Sequence, residues 1–97
     1  MTAGIDAREY AALVRFLRGY LHQDAVVEYG SAAGAAQQFR KDADEREAAI
    51  VHSELERLLA ETSTLSIADL NRTFQQLGSA WHFRWREEVE EILEGLK

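Results

Sequence analysis

The stretch DAREYAALVRFLRG, residues 6–19, predicts an amphipathic helix and with it the fold class. Its apolar residues recur at helical intervals and line one face: Tyr10, Leu13, Val14 and Leu17. Asp6 is placed to cap the first turn, with Glu9 three residues later as in a capping box. Gly19 is the predicted C-terminal stop.

Four more segments carry helical spacing and a start signal. The second helix is predicted from residue 31 to about 42, the third from 44 to the TSTLS stretch at 62–66, the fourth from 66 to 78, and the last from near 84. Their predicted first residues are Ser31, Asp44, Ser66 and Arg84, and Gly78 stops the fourth. Small alanines on the second helix predict close packing against its neighbours. The chain contains no proline and shows no strand-like alternation. We therefore expect an all-α, single-domain bundle of about five helices over residues 1–97.

Each predicted helix has a face to bury. The fourth should bury Ile67, Leu70, Phe74 and Leu77, and the last should bury Trp85, Val89, Ile92, Leu93 and Leu96. Ile50 is the exception, because it falls on the polar face of the third helix. It is either a lone surface aliphatic or a contact to another element or partner.

Composition narrows the class of protein. With 46% hydrophobic residues, the 97-residue chain contains enough apolar material for one core. The absence of cysteine excludes disulfides, thiolate metal sites and a cysteine nucleophile. Neither a signal peptide nor a membrane-spanning run is visible, so the expected location is the cytoplasm.

The charge is acidic, at −6, which disfavours nucleic acid as a partner. The arginines are spread along the chain, whereas acidic residues bunch in KDADEREA and WREEVEEILE. Such runs are either solvated helix faces or a surface suited to a basic partner.

Polar residues crowd the stretch between the first two helices. His22, Asp24 and Glu28 could in principle form a metal or catalytic group, but helical His-Glu-x-x-His spacing is missing. A structural corner, whose polar side chains satisfy exposed backbone groups, is the favoured interpretation. No serine lies in a nucleophile elbow, and no glycine-rich phosphate loop exists. We therefore expect no enzymatic activity, no metal and no cofactor.

DNA binding through a helix-turn-helix is a further, weaker hypothesis for the function. Residues 55–78 contain two predicted helices joined by a short Ser/Thr turn. The second would present residue types that can read bases: Asn71, Arg72, Gln75 and Gln76. Asp69 and the glutamates of the preceding helix oppose a DNA contact.

The corner and the helix that follows it, LRGYLHQDAVVEYGSAAGAAQQF, resemble the start of a family of bacterial immunity proteins from contact-dependent growth inhibition systems. In that family a helix ends in a Gly-Tyr-Phe-His-Gln-Asp-like turn, followed by an extended segment, Tyr-Gly and a new helix. The matching residues are Gly19, Tyr20, His22, Gln23, Asp24, Glu28, Tyr29 and Gly30. Leu21 and Ala25 depart from the pattern by replacing aromatic residues. The loop SAWHFRW is also shorter than its counterparts in the family.

The resemblance implies a small cytoplasmic protein that binds and neutralises the toxic domain of a cognate effector. The acidic charge suits this role when the toxin is a nuclease. A helical adaptor with another protein partner is the alternative. The predicted partner-binding residues lie in the loop before the last helix and on that helix's polar face: Trp81, His82, Phe83, Glu87, Glu90, Glu91 and Glu94. Trp81 and Phe83 flank His82 in that loop, where an exposed aromatic side chain beside an acidic rim would form a binding hot spot. The partner is expected to be basic.

Overall fold

A computed structural model describes residues 6–22 and 29–97. A 3-10 turn, Ala7–Tyr10, leads into five α-helices. They are α1 (Ala11–Tyr20), α2 (Ala32–Asp42), α3 (Glu45–Glu61), α4 (Ile67–Gln76) and α5 (Glu87–Gly95). The described residues contain no strand, and the predicted all-α class is confirmed. None of the helices in this part of the chain is long and apolar enough to cross a membrane.

The predicted starts of α2, α3 and α4 are confirmed by their caps. The first predicted start is confirmed only for the 3-10 turn that Asp6 caps, because α1 itself begins at Ala11 without a side-chain cap. Asp6 accepts a hydrogen bond from the Arg8 backbone N–H at 2.9 Å. The other caps each accept a hydrogen bond from the backbone N–H three residues later. They are Ser31 of α2 at 2.9 Å, Asp44 of α3 at 2.7 Å and Ser66 of α4 at 3.2 Å. Each bond satisfies a first-turn donor that the helix itself leaves unpaired.

Two predicted boundaries are wrong. Gly19 lies inside α1, which continues through Tyr20. The last helix begins at Glu87 instead of near Arg84. The Arg84 N–H is already bonded to the Glu88 side chain at 2.6 Å, and Arg86 donates to the Thr62 carbonyl at 2.7 Å. These contacts fix the residues that lead into α5, and Arg86 is its N-cap residue.

The helices pack in two main pairs, α2 against α5 and α1 against α3. The α2–α5 pair is close because small residues meet there, as the alanines of α2 predicted. A Cβ added to Gly95 would lie 2.9 Å from the Ala36 Cβ and 3.2 Å from the Ala33 carbonyl oxygen. In the other pair, Glu54 of α3 accepts the Leu13 N–H in the first turn of α1 at 2.9 Å.

The core is apolar and includes most of the predicted inward residues, among them Leu13, Leu17, Val51, Leu55 and Phe74. Ile50 faces outward as predicted, at 44% exposure. Two predicted core residues are exposed instead, Ile67 at 36% and Trp85 at 54%. Phe83 takes the place expected for Trp85, packing its ring 5.1 Å from that of Phe74.

Candidate functional site

The corner after α1 is built on an aromatic cluster. The Tyr20 ring stacks on Phe16 and Tyr29 at centroid distances of 5.8 and 5.7 Å, and meets Phe39 edge-on at 5.2 Å. Its hydroxyl donates to the Asp42 carboxylate at 2.7 Å. Burial and then this hydrogen bond raise the pKa of Tyr20 to about 12. The cluster therefore joins the end of α1 to the C-terminal part of α2 and to Tyr29, which precedes α2.

His22 and Gly30 complete the described part of the corner. The His22 ring meets Tyr29 edge-on at 6.3 Å. Gly30 has a φ of 79°, a left-handed conformation that glycine adopts without strain. Tyr20 and Tyr29 are half-buried. Gln23, Asp24 and Glu28, which were also predicted to belong to the corner, lie outside the described residues.

Asn71 is the main polar contact inside the bundle. Its side-chain amide donates to the Phe83 carbonyl, and its side-chain oxygen accepts the Phe83 N–H, both at 2.7 Å. The residue is 4% exposed. The prediction that Asn71 points outward to read bases is therefore wrong, because both of its polar ends are used within the fold.

The segment between α4 and α5 is held by its backbone. The Ala80 N–H donates to the Leu21 carbonyl at 2.8 Å, and the Trp81 N–H donates to the Ser79 hydroxyl at 3.1 Å. The Phe83 N–H donates to Asn71 and the Arg84 N–H donates to Glu88, so four backbone N–H groups within residues 80–84 are hydrogen-bonded. The first of these bonds ties the segment to the corner.

A surface groove of about 480 Å³ opens where the corner, this segment and α5 meet. We call it the tryptophan groove, because both tryptophans of the chain line it. Its lining residues come from three places in the sequence: His22, Ala80, Trp81, His82, Arg84, Trp85, Glu88 and Glu91. Trp85 is the most exposed large apolar side chain among the described residues.

The predicted partner-binding residues separate into three groups. Trp81, His82 and Glu91 line the groove. Phe83 lies in the core instead and is 0% exposed. The remaining glutamates are exposed on α5 but do not line the groove: Glu87, Glu90 and Glu94.

Four groove residues were absent from the predicted set: His22, Arg84, Trp85 and Glu88. Trp85 was assigned to the core because its spacing to Val89 and Ile92 is helical. Glu88 gave no capping signal, because it follows Arg84 by four residues and a capping box has a spacing of three. His22 joins the groove only through the fold.

The electrostatics of α5 are strongly acidic. Its first turn holds Glu87, Glu88 and Glu90, where the helix dipole favours negative charge. Its last turn has no basic residue, and Glu94 pairs with Lys97 at 3.3 Å on the surface. No ion pair within the described residues involves Glu87, Glu90 or Glu91.

The described residues contain no group of three or more side chains suited to hold a metal ion. Asp24 and Glu28, considered with His22 as possible ligands, are not among them. The geometry supports contact with another molecule: an exposed aromatic ring, fixed backbone and unpaired carboxylates on one side of the protein.

One of three comparisons with known proteins gives a match. Neither the curated proteins nor the solved structures contain a match to the chain. The family model described as CdiI immunity protein matches residues 9–97, which include both the corner and the groove. A match over nearly the whole chain shows that this protein belongs to the CdiI immunity protein family.

Proposed function

We propose that the protein binds the toxic domain of a cognate growth-inhibition effector and neutralises it by contact, without turnover. The observation that carries this proposal is the family match over residues 9–97. It acts in the cytoplasm, where a delivered toxin reaches its target. The part of the chain that the structure describes offers an interaction surface in support.

The tryptophan groove and the acidic face of α5 form the proposed contact surface. Binding energy at protein interfaces concentrates in a few aromatic and charged anchors that become fully desolvated. Trp85 is such an anchor, because it is 54% exposed while its neighbouring backbone is already fixed. Preorganisation of this kind lowers the entropy lost on binding.

The proposed partner is a basic domain, and a nuclease fits this description. Nucleases place basic residues around the phosphates of their substrates, and an acidic inhibitor can cover those residues. The net charge of −6 and the unpaired glutamates of α5 favour such a partner and speed its association.

The test is co-expression with the toxin domain encoded beside this gene, together with a binding measurement in vitro. The protein should restore growth and bind the purified domain. Association should slow by about tenfold or more between about 0.05 M and about 0.5 M NaCl.

Charge reversal locates the surface. Glu91→Lys should weaken binding and reduce its salt dependence. The control is Glu56→Lys, the same charge change at an exposed position on α3 outside the groove. Equal effects of the two variants would place the contact elsewhere, and failure to protect cells would refute the toxin-neutralising function.

A further inference from the structure

The tryptophan groove presents an aromatic face next to carboxylates. Both Trp85, which is 54% exposed, and Trp81, which is half-buried, line it. The electron-rich face of an indole attracts cations, and tryptophan does so more strongly than the other aromatic residues. An exposed indole alone is compatible with many ligands, so its neighbours decide the ligand's charge.

Two carboxylates line the same groove. The Glu88 side chain is held in place by the Arg84 N–H at 2.6 Å, which engages only one of its two oxygens. Glu91 follows three residues later, so it lies on the same side of α5. Glu91 is exposed and forms no ion pair with any described residue.

The charge balance of the groove favours a cation. Arg84 is the one guanidinium in the lining, against the carboxylates of Glu88 and Glu91. Glu87 and Glu90, exposed on the same helix, add further negative potential around the groove. An anionic ligand would meet the carboxylates of Glu88 and Glu91 in the same groove as Arg84.

We propose that the groove receives an arginine side chain of the partner protein, with its guanidinium against Trp85 and the carboxylates of Glu88 and Glu91. Arginine fits better than lysine because its planar guanidinium both stacks on an aromatic ring and donates two parallel hydrogen bonds to a carboxylate. The assignment rests on the proposed function only in attributing that arginine to a toxin.

The groove can be tested without the toxin. Since both tryptophans line it, intrinsic fluorescence reports on its occupancy directly. The probes are three capped tripeptides, Gly-X-Gly, in which X is arginine, its neutral isostere citrulline, or glutamate. The arginine peptide should shift the emission saturably with millimolar affinity, and the citrulline peptide should bind about tenfold or more weakly.

Variants test whether the fluorescence shift depends on the carboxylates of the groove. Glu91→Gln should weaken arginine-peptide binding by about threefold to tenfold. Glu56→Gln, the same change outside the groove, should leave it unaltered. Equal binding of arginine and citrulline, preference for glutamate, or no saturable shift would each overturn the proposal. Protection from the toxin is measured separately, so such a result would leave the proposed function standing. Peptide binding without protection would refute the proposed function alone.

Discussion

At the level of single residues, Asn71 supplies both hydrogen-bond partners that the Phe83 backbone needs. Phe83 lies in the core but outside any helix, so no helical neighbour can satisfy its N–H and carbonyl groups. Asn71 is suited to this position because its amide carries a donor and an acceptor on one short side chain. The pair thereby fixes the segment that separates Trp81 from Trp85.

Asn71→Ala should lower the free energy of unfolding by about 2–4 kcal/mol, because it leaves two buried backbone groups unpaired. Asn71→Asp should cost stability as well, since at neutral pH its carboxylate still accepts the Phe83 N–H but cannot donate to the carbonyl. Urea unfolding measures both. Gln75→Ala, exposed on the same helix, is the control and should change stability by less than about 0.5 kcal/mol. A loss in Asn71→Ala no larger than in the control would contradict this role.

At the level of elements, the α2–α5 contact depends on the absence of a side chain at Gly95. The neighbouring Ala36 Cβ and Ala33 carbonyl leave no room for a methyl group without a shift of one helix. Gly19, inside α1, is the opposite case, because an added Cβ there meets nothing within 4 Å. The two glycines therefore provide a matched comparison within helices.

Gly95→Ala should destabilise the protein by about 1–3 kcal/mol, as overpacking does. Gly19→Ala should stabilise it by about 0.5–1 kcal/mol, because alanine loses less backbone freedom in a helix. Thermal unfolding compares the two variants. Adding Ala36→Gly to Gly95→Ala should recover part of the lost stability, because it removes the Ala36 Cβ that the new methyl group would meet. Similar effects of the two single substitutions would mean that helix propensity, not packing, governs Gly95.

The sequence predicted the parts of the fold that depend on neighbours a few residues away. Ser31, Asp44 and Ser66 cap their helices through bonds to the third residue on, so local pattern is sufficient. Trp85 was misplaced because helical spacing was extended back through residues 84–86. The position of this segment depends on contacts from Asn71 to Phe83, from Glu88 to the Arg84 N–H and from Arg86 to the Thr62 carbonyl. Such distant contacts leave no periodic signal.

At the level of the whole molecule, stability comes from the apolar core and little of it from ion pairs. Every ion pair between described residues joins side chains that are each at least 34% exposed. Pairs of that kind contribute little and are screened by salt. Added NaCl should therefore weaken the proposed toxin complex while leaving the fold intact, which makes salt a clean variable for the binding assay.

Alkaline pH should unfold the molecule partly through Tyr20. Its pKa is raised to about 12 in the folded protein, against about 10 in an unfolded chain. The folded state therefore holds the Tyr20 proton more tightly than the unfolded chain does. The stabilisation that Tyr20 contributes to the folded state is complete below about pH 10, and it falls by up to about 1.4 kcal/mol per pH unit as pH rises towards about 12. The measurement is the difference in unfolding free energy between the wild type and Tyr20→Phe.

That difference should be constant at neutral pH and shrink above about pH 10. Burial also raises the pKa of Tyr10, but Tyr10 is present in both proteins and cancels in the comparison. A difference that does not change with pH would show that Tyr20 titrates equally in the folded and unfolded states.

The hydrogen bond from Ala80 to the Leu21 carbonyl has a consequence for the stage of synthesis at which the tryptophan groove forms. It joins the beginning of the groove to a segment translated much later, and α5 supplies the remaining wall. Contacts so far apart in sequence form late, because a long loop must close first. A nascent chain can fold α1 and α3 together on the ribosome, yet it cannot form the groove until α5 has emerged.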